Sequence, residues 1–144
     1  MFMTLEIELD GPVSTIWMNR PELHNAFDEN LILELTAACV ALDRDKDVRV
    51  VVLAGRGRSF SAGADLNWMK RAADNGIAEN QNDARALANM LRTLAMMKKP
   101  TIARVQGAAH HAPSRPRPVR AGRTDDPVAL RQEVARASMD TAIP

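Results

Sequence analysis

The sequence predicts an α/β fold in which an N-terminal hairpin is followed by parallel strands and crossover helices. Short segments with alternating polar and apolar residues flank Asp10-Gly11, which is typical of two strands joined by a tight turn. Residues 28 to 44 carry apolar side chains at helical spacing. Residues 48 to 54 are largely aliphatic without alternation, which favours a parallel strand covered on both faces. A strand, a helix and a buried strand in this order form a βαβ unit with a right-handed crossover.

The first three elements can be placed from local signals. The hairpin strands should run from Thr4 to Leu9 and from Val13 to Met18. Asp28 has the side chain of a helix N-cap, and the helix after it should end near residue 44. Its buried stripe is predicted to contain Leu31, Ile32, Leu35, Ala38, Cys39 and Leu42.

Two helices and one strand are predicted after the aliphatic strand of residues 48 to 54. A helix should begin near Asp65, and another should cover about residues 79 to 98. The second of these helices would bury a stripe, and Pro100 should stop it. A last strand is expected from Thr101 to Gln106. The predicted stripe is Leu87, Leu91, Leu94 and Met97.

Composition excludes several classes of function. With 19 basic and 18 acidic residues and 3% aromatic residues, the chain offers no general surface for nucleic acid or for a membrane. Its one cysteine, Cys39, excludes an internal disulfide and a cysteine-rich metal site. No apolar run resembles a signal peptide or a membrane span, so a cytoplasmic protein is expected.

The composition changes near residue 109. Residues 110 to 144 hold 5 of the 8 prolines and no lysine, and runs such as Arg115-Pro116-Arg117-Pro118 are typical of disordered chain. We therefore expect a partial α/β domain over 1–109 and a disordered Arg/Pro-rich tail over 110–144. A reading-frame change or truncation near residue 109 is the simplest hypothesis for this change. The adjacent His110 and His111 do not predict a metal site, because no third ligand is spaced to join them.

The stretch SFSAGADLNWMK, residues 59 to 70, places small residues between a strand and a helix. Unpaired N–H groups at a helix start attract negative charge, and Gly63 and its alanine neighbours would let a ligand oxygen approach them. A tight turn that simply needs small residues explains the pattern equally well. A nucleophilic serine lacks the usual G-x-S-x-G context. A dinucleotide fingerprint at Gly55-Arg56-Gly57 lacks its third glycine.

Three motifs occur in order: NRPELHNAFD, VVLAGRGRSFSAGADL and KPTIARVQGAA. Together they resemble the enoyl-CoA hydratase/isomerase (crotonase) superfamily, and the resemblance covers residues 4 to 109. SAGADLNWMK with HNAFD is similar to members that act on branched or carboxylated enoyl-CoAs, such as methylglutaconyl-CoA or isohexenylglutaconyl-CoA hydratases. The resemblance implies an incomplete crotonase-like spiral of ββα repeats. It also implies homo-oligomers and syn addition of water to a 2-enoyl-CoA.

The resemblance implies an acyl-CoA thioester as ligand and no separate cofactor, since coenzyme A is part of the substrate. Two backbone N–H groups hold the thioester oxygen in such enzymes as an enolate forms. Carried onto this sequence, the first donor is the N–H of Ala64. The neighbours that would line the coenzyme A arm are Ala62, Gly63, Asp65 and Leu66, and the loop of Glu22, Leu23 and His24 would lie along the nucleotide and pantetheine. From the residues alone, Asp65 is predicted to be only a helix N-cap. His24 is predicted to be a loop residue with backbone contacts.

The family pattern stops after VQGAA, where HHAPSRPRP replaces the glycine tract that should supply the second N–H donor. Glu133 is the only glutamate beyond residue 107, and no family motif surrounds it. This chain alone is therefore expected to be inactive and to self-associate through uncovered apolar surface. The alternatives are a non-catalytic remnant that binds a CoA thioester or a protein, and a crotonase-fold isomerase, decarboxylase or thioesterase.

Overall fold

The structure is a computed structural model that describes residues 1–107 and residue 109. These residues form four strands, three α-helices and one short 3-10 helix at Pro21–Leu23. In chain order the strands and α-helices are β1 (Leu5–Asp10), β2 (Val13–Met18), α1 (Glu29–Arg44), β3 (Val50–Gly55), α2 (Leu66–Asp74), α3 (Ile77–Ala95) and β4 (Thr101–Arg104). The predicted tail, with His110, His111 and Glu133, lies outside the described residues.

The four strands form one sheet in the order β1-β2-β3-β4. β1 and β2 pair as an antiparallel hairpin, whereas β2 with β3 and β3 with β4 are parallel. The predicted fold class is therefore confirmed. β4 ends at Arg104 rather than at the expected Gln106, whose carbonyl accepts a hydrogen bond from the N–H of Phe60 in the loop after β3.

Helix α1 provides most of the core. Asp28 is its N-cap, and the carboxylate accepts the N–H of Leu31 at 2.9 Å. The six predicted stripe residues are all buried, and they pack with Ile16, Met18 and Leu53 from the sheet. Each fully buried leucine of this stripe contributes roughly 1.5–3 kcal/mol. Cys39 is part of this core, and burial raises the pKa of its thiol to about 11, so the thiol stays protonated at neutral pH.

Helix α3 packs against α1 with a face that includes Leu87, Leu94 and Met97 of the predicted stripe but not Leu91. Met90 is fully buried at its centre, with Leu87, Leu94 and Met97 partly buried beside it, whereas Leu91 is 42% exposed. Met90 was not part of the predicted stripe, which held its neighbour Leu91 instead. The choice between them depends on how α3 is rotated against α1, which local spacing does not set.

The expectation that β3 is covered on both faces is wrong for the described residues. Val51 and Leu53 face the core and are buried, but Val50 and Val52 point to the opposite face and are half-buried. On this second face Arg56 lies 4.0 Å from the centre of the Trp17 ring. Trp68 on α2 is partly buried and packs against the core. Within the described part of the chain, no helix combines the length and the apolar character needed to cross a membrane.

Two buried serines allow a matched test of the core. The hydroxyl of Ser14 on β2 is buried and finds no hydrogen-bond partner among the described residues, whereas Ser61 donates to the carbonyl of Asn25 and accepts the N–H of Gly63. We expect Ser14→Ala to leave the free energy of unfolding unchanged or to raise it by up to about 1 kcal/mol, because an unpaired polar group is removed. Ser61→Ala should lower it by about 1–3 kcal/mol, because two buried backbone groups lose their partner. Urea unfolding of both variants checks this, and equal destabilisation by the two would contradict it.

Candidate functional site

The candidate site lies where β2 and β3 end. These strands are parallel neighbours, so the loops after them meet at one edge of the sheet. The loop after β2 contains residues 19 to 28, and the loop after β3 contains residues 56 to 65. We refer to residues 61 to 65, just before α2, as the corner.

Asn25 joins the two loops. It is fully buried, its Oδ1 accepts the N–H of Arg20 at 2.9 Å, and its Nδ2 donates to the carbonyls of Arg56 at 2.8 Å and Ser59 at 2.9 Å. Its φ of 53° is left-handed, a conformation that asparagine tolerates better than most residues. One side chain therefore holds both loops at a fixed separation.

The N–H of Ala64 is presented by the pairing of Phe27 with the corner. Phe27 donates its N–H to the carbonyl of Gly63 at 2.7 Å and accepts the N–H of Asp65 at 2.8 Å. These two bonds straddle Ala64, which is the parallel bridge partner of Phe27, so the N–H and C=O of Ala64 point away from that partner. Among residues 1–107 and 109, the N–H of Ala64 donates no hydrogen bond.

The small residues of the corner have separate structural reasons. Gly63 has φ of 85°, a left-handed conformation that costs glycine little. Its N–H donates to the Ser61 hydroxyl at 3.1 Å. Ala62 is exposed and donates its own N–H to the carbonyl of His24 at 2.8 Å. A tight turn therefore exists, and it also presents a backbone donor.

A buried ion triad lies directly behind the corner. The guanidinium of Arg20 contacts Asp28 at 3.0 Å and Asp65 at 3.1 Å, and the three side chains are 7–12% exposed. Asp65 also caps α2 by accepting the N–H groups of Asn67 at 2.8 Å and Trp68 at 3.0 Å. Burial alone would raise the pKa of Asp65, but these N–H groups and Arg20 outweigh it and lower that pKa. Asp65 is thus an ionised N-cap of α2, as predicted from the residue alone.

The predicted binding loop comes to the same edge of the sheet. Glu22 and Leu23 are exposed in the 3-10 helix, and His24 ends it with φ of 51°. The carbonyl of His24 contacts Ala62, so the loop and the corner are adjacent. Leu66, the first residue of α2, is 72% exposed beside them. The structure thus brings together the residues that the resemblance assigned to coenzyme A, while their contacts with a ligand remain a prediction.

The structure does not support a dinucleotide fingerprint or a nucleophilic serine in this region. Gly55 ends β3, and a Cβ there would lie 2.7 Å from both Asn25 Nδ2 and the carbonyl of Phe60, so internal packing explains this glycine. α2 begins only at Leu66, too late for a dinucleotide fingerprint. Ser59 lies 3.1 Å from Nδ1 of His24, but no hydrogen bond joins His24 to a carboxylate within the described part of the chain.

Sequence reasoning missed Arg20 and Asn25 as organising residues. Both lie within NRPELHNAFD, a motif that supported the family resemblance but assigned no role to either residue. Their partners Asp65 and Ser59 are 45 and 34 residues away along the chain. No periodic pattern reports such pairings. Across the described residues, no group of three histidine, cysteine or acidic side chains is placed to hold a metal ion.

Comparison with known proteins agrees with the fold and the motifs. The sequence profile of the family described as "Enoyl-CoA hydratase/isomerase" matches residues 8–112. A Thermus thermophilus protein whose name places it among the enoyl-CoA hydratases is 38% identical over 99 residues, covering 69% of this chain and 39% of the relative. The 4-chlorobenzoyl coenzyme A dehalogenase-2 of an Arthrobacter species is 35% identical over 109 residues, covering 73% of this chain and 38% of the relative.

A solved structure shows the same architecture. The crystal structure of an enoyl-CoA hydratase from Shewanella pealeana matches with a TM-score of 0.72 and 38% identity, covering 74% of this chain and 40% of that one. The chain thus spans about 40% of the length of the relatives it matches. The family profile covers most of this sequence, and the fold matches that of the Shewanella pealeana enzyme. The chain therefore belongs to the enoyl-CoA hydratase/isomerase family.

Proposed function

We propose that the chain binds an acyl-CoA thioester at the corner and that the N–H of Ala64 donates a hydrogen bond to the thioester oxygen. The observation that carries this proposal is the orientation of Ala64. Its two neighbours are engaged by Phe27, while its own N–H has no acceptor among the described residues. A fixed, unpaired donor at a helix start is suited to an oxygen that gains negative charge.

The chemistry proposed for the whole protein is the syn addition of water to a 2-enoyl-CoA. Water adds across the carbon–carbon double bond, and the thioester oxygen carries the negative charge of the enolate before the α-carbon takes a proton. The corner supplies one donor for that oxygen. The thioester oxygen needs a second hydrogen-bond donor, and the family motif would place that donor in the segment after Gly107. No step of this reaction is assigned to a side chain of the described residues.

We propose that the rest of the ligand lies beside the corner. The exposed loop of Glu22, Leu23 and His24 contacts Ala62 and borders the open side of the corner. We assign this loop to the nucleotide and pantetheine, and Leu66 to the apolar part of the arm. A branched or carboxylated acyl group is the substrate class that we propose from the SAGADLNWMK and HNAFD motifs. We further propose a cytoplasmic protein that forms homo-oligomers as a whole, with non-specific self-association of this chain.

A second candidate, binding without chemistry, is favoured by the state of the carboxylates. Asp28 and Asp65 are both paired with Arg20 and engaged as helix caps. Neither is free to direct water. The reaction class also stays a proposal, because the relatives include a protein named as a dehalogenase as well as hydratases.

The proposal is tested by comparing two ligands that differ only at the reacting group. We expect an acyl-CoA thioester to bind about 2–10 times more tightly than the S-alkyl thioether analogue, which lacks the carbonyl, because one hydrogen bond contributes about 0.5–1.5 kcal/mol. Isothermal titration calorimetry on the full chain measures both affinities. Ala64→Gly keeps the N–H and should keep the preference, whereas Ala64→Pro should remove it. Equal affinities of the two ligands for the unmodified chain would refute the proposal.

A further inference from the structure

We propose that Arg20 is a positioning residue for the thioester site: its guanidinium connects the N-caps of α1 and α2 and thereby fixes the direction of the Ala64 N–H. This inference rests on the proposed function. It adds a residue whose guanidinium bonds to Asp28, Asp65 and Ala26 and that acts through the two caps.

The geometry of the caps supports a shared role. Asp28 and Asp65 each use one carboxylate oxygen to cap their helix and the other to contact Arg20. Oδ1 of Asp28 holds Leu31, and Oδ1 of Asp65 holds Asn67 and Trp68, while both Oδ2 atoms face the same Nη2. The other terminal nitrogen of the guanidinium, Nη1, donates to the carbonyl of Ala26. The two helix starts are therefore joined through one planar cation, which lysine cannot reproduce.

The connection leads directly to the donor. The backbone of Asp65 is bonded to Phe27, and Phe27 is bonded to Gly63, so Ala64 lies between two held residues. Asp28, at the other side of the triad, immediately follows Phe27 in the chain. Arg20 thus connects the side chains of the residues that flank this backbone pairing. Loss of the cation would leave two buried carboxylates facing each other, and their repulsion would separate Phe27 from the corner.

The alternative is that the triad only stabilises the fold. A residue with that role would loosen the whole sheet when it is replaced, and it would change thioester and thioether binding equally. A positioning residue would loosen the Phe27–corner pairing more than the sheet, and it would change the preference for the thioester. These differences define two independent readouts.

The first readout needs no ligand. Amide hydrogen exchange of the full chain is measured by NMR for the unmodified protein and for Arg20→Gln. We expect exchange at Phe27 and Asp65 to rise about tenfold more than exchange at Val51 and Leu53 in β3, because the opening is local. Asp65→Asn keeps a cap acceptor but removes the charge, and it should produce the same local pattern. A uniform rise across all four amides, or no rise at Phe27 and Asp65, would overturn the inference.

The second readout uses the matched ligands. Arg20→Gln should reduce the thioester-to-thioether affinity ratio to about one and leave thioether affinity within about twofold, because one directed hydrogen bond is lost while the arm contacts remain. Arg71→Gln is the control, since Arg71 forms an exposed ion pair with Glu29 and should leave the ratio unchanged.

The two proposals fail in different ways. A ratio of one in the unmodified chain refutes thioester binding through Ala64 and, with it, the assignment of Arg20 to that site. A ratio above one that persists in Arg20→Gln refutes only the positioning role. If Arg20→Gln does not fold, the exchange and affinity measurements on Asp65→Asn decide the same question, because that variant breaks the same ion pair from the other side.

Discussion

The purified 144-residue chain is expected to leave the absorbance of a 2-enoyl-CoA unchanged. Hydration by the family route needs two donors at the thioester oxygen and an acid/base pair for water. The described residues present one candidate donor, the N–H of Ala64, and hold Asp28 and Asp65 in the Arg20 triad. Loss of one oxyanion donor lowers the rate about 10²–10³-fold. Loss of general acid/base catalysis lowers it by about another 10²–10⁴-fold.

The measurement follows enoyl absorbance after addition of the chain at micromolar concentration, with the Shewanella pealeana enoyl-CoA hydratase as the positive control. Binding of the thioester is measured on the same sample, so that an unfolded preparation is recognised. Steady loss of absorbance that scales with the amount of chain would contradict this prediction. It would show that the segment after Gly107 supplies a donor and an acid or base despite its lack of the glycine tract.

The elements built from local contacts could be predicted from the sequence. The hairpin, helix α1 and the cap at Asp28 follow from alternation, helical spacing and one capping side chain, and each lies within two residues of its expected position. These features depend on neighbours a few residues apart. The sequence records such neighbours directly, through periods of two and 3.6 residues.

The candidate site could be predicted only in part. The small residues of the corner pointed to a backbone donor, and the motif resemblance selected Ala64 over its neighbours. The roles of Arg20 and Asn25 were not readable, because they depend on parallel pairing that brings two loops together at one edge of the sheet. The rotation of α3 was missed for a related reason. Met90 and Leu91 are both apolar, and only contact with α1 decides that Met90 is buried.

Replacement of Ala64 by proline is expected to abolish turnover in a hybrid that can be assayed. In this hybrid, residues 1–107 of the chain precede the remaining part of the Shewanella pealeana enoyl-CoA hydratase, which restores the second half of the fold. Proline has no N–H, so kcat/KM should fall by about 10²–10³-fold. Ala64→Gly keeps the donor and costs about 0.5–1 kcal/mol of backbone stability, so its kcat/KM should stay within a few-fold of the unmodified hybrid.

The proline variant is informative because it removes little else. The bonds that hold the corner to Phe27 belong to Gly63 and Asp65, and both remain when Ala64 becomes proline. Proline fixes φ at about −65° and also restricts the backbone of the residue before it, here Gly63, so a loss of stability has to be measured separately from the loss of the donor. Thermal unfolding of the proline and glycine hybrids is therefore measured beside their kcat values, and the two kcat values are compared at a temperature where both hybrids are folded. Equal turnover by the proline and glycine variants would refute the role assigned to the Ala64 N–H, because the donor is then not used in the transition state.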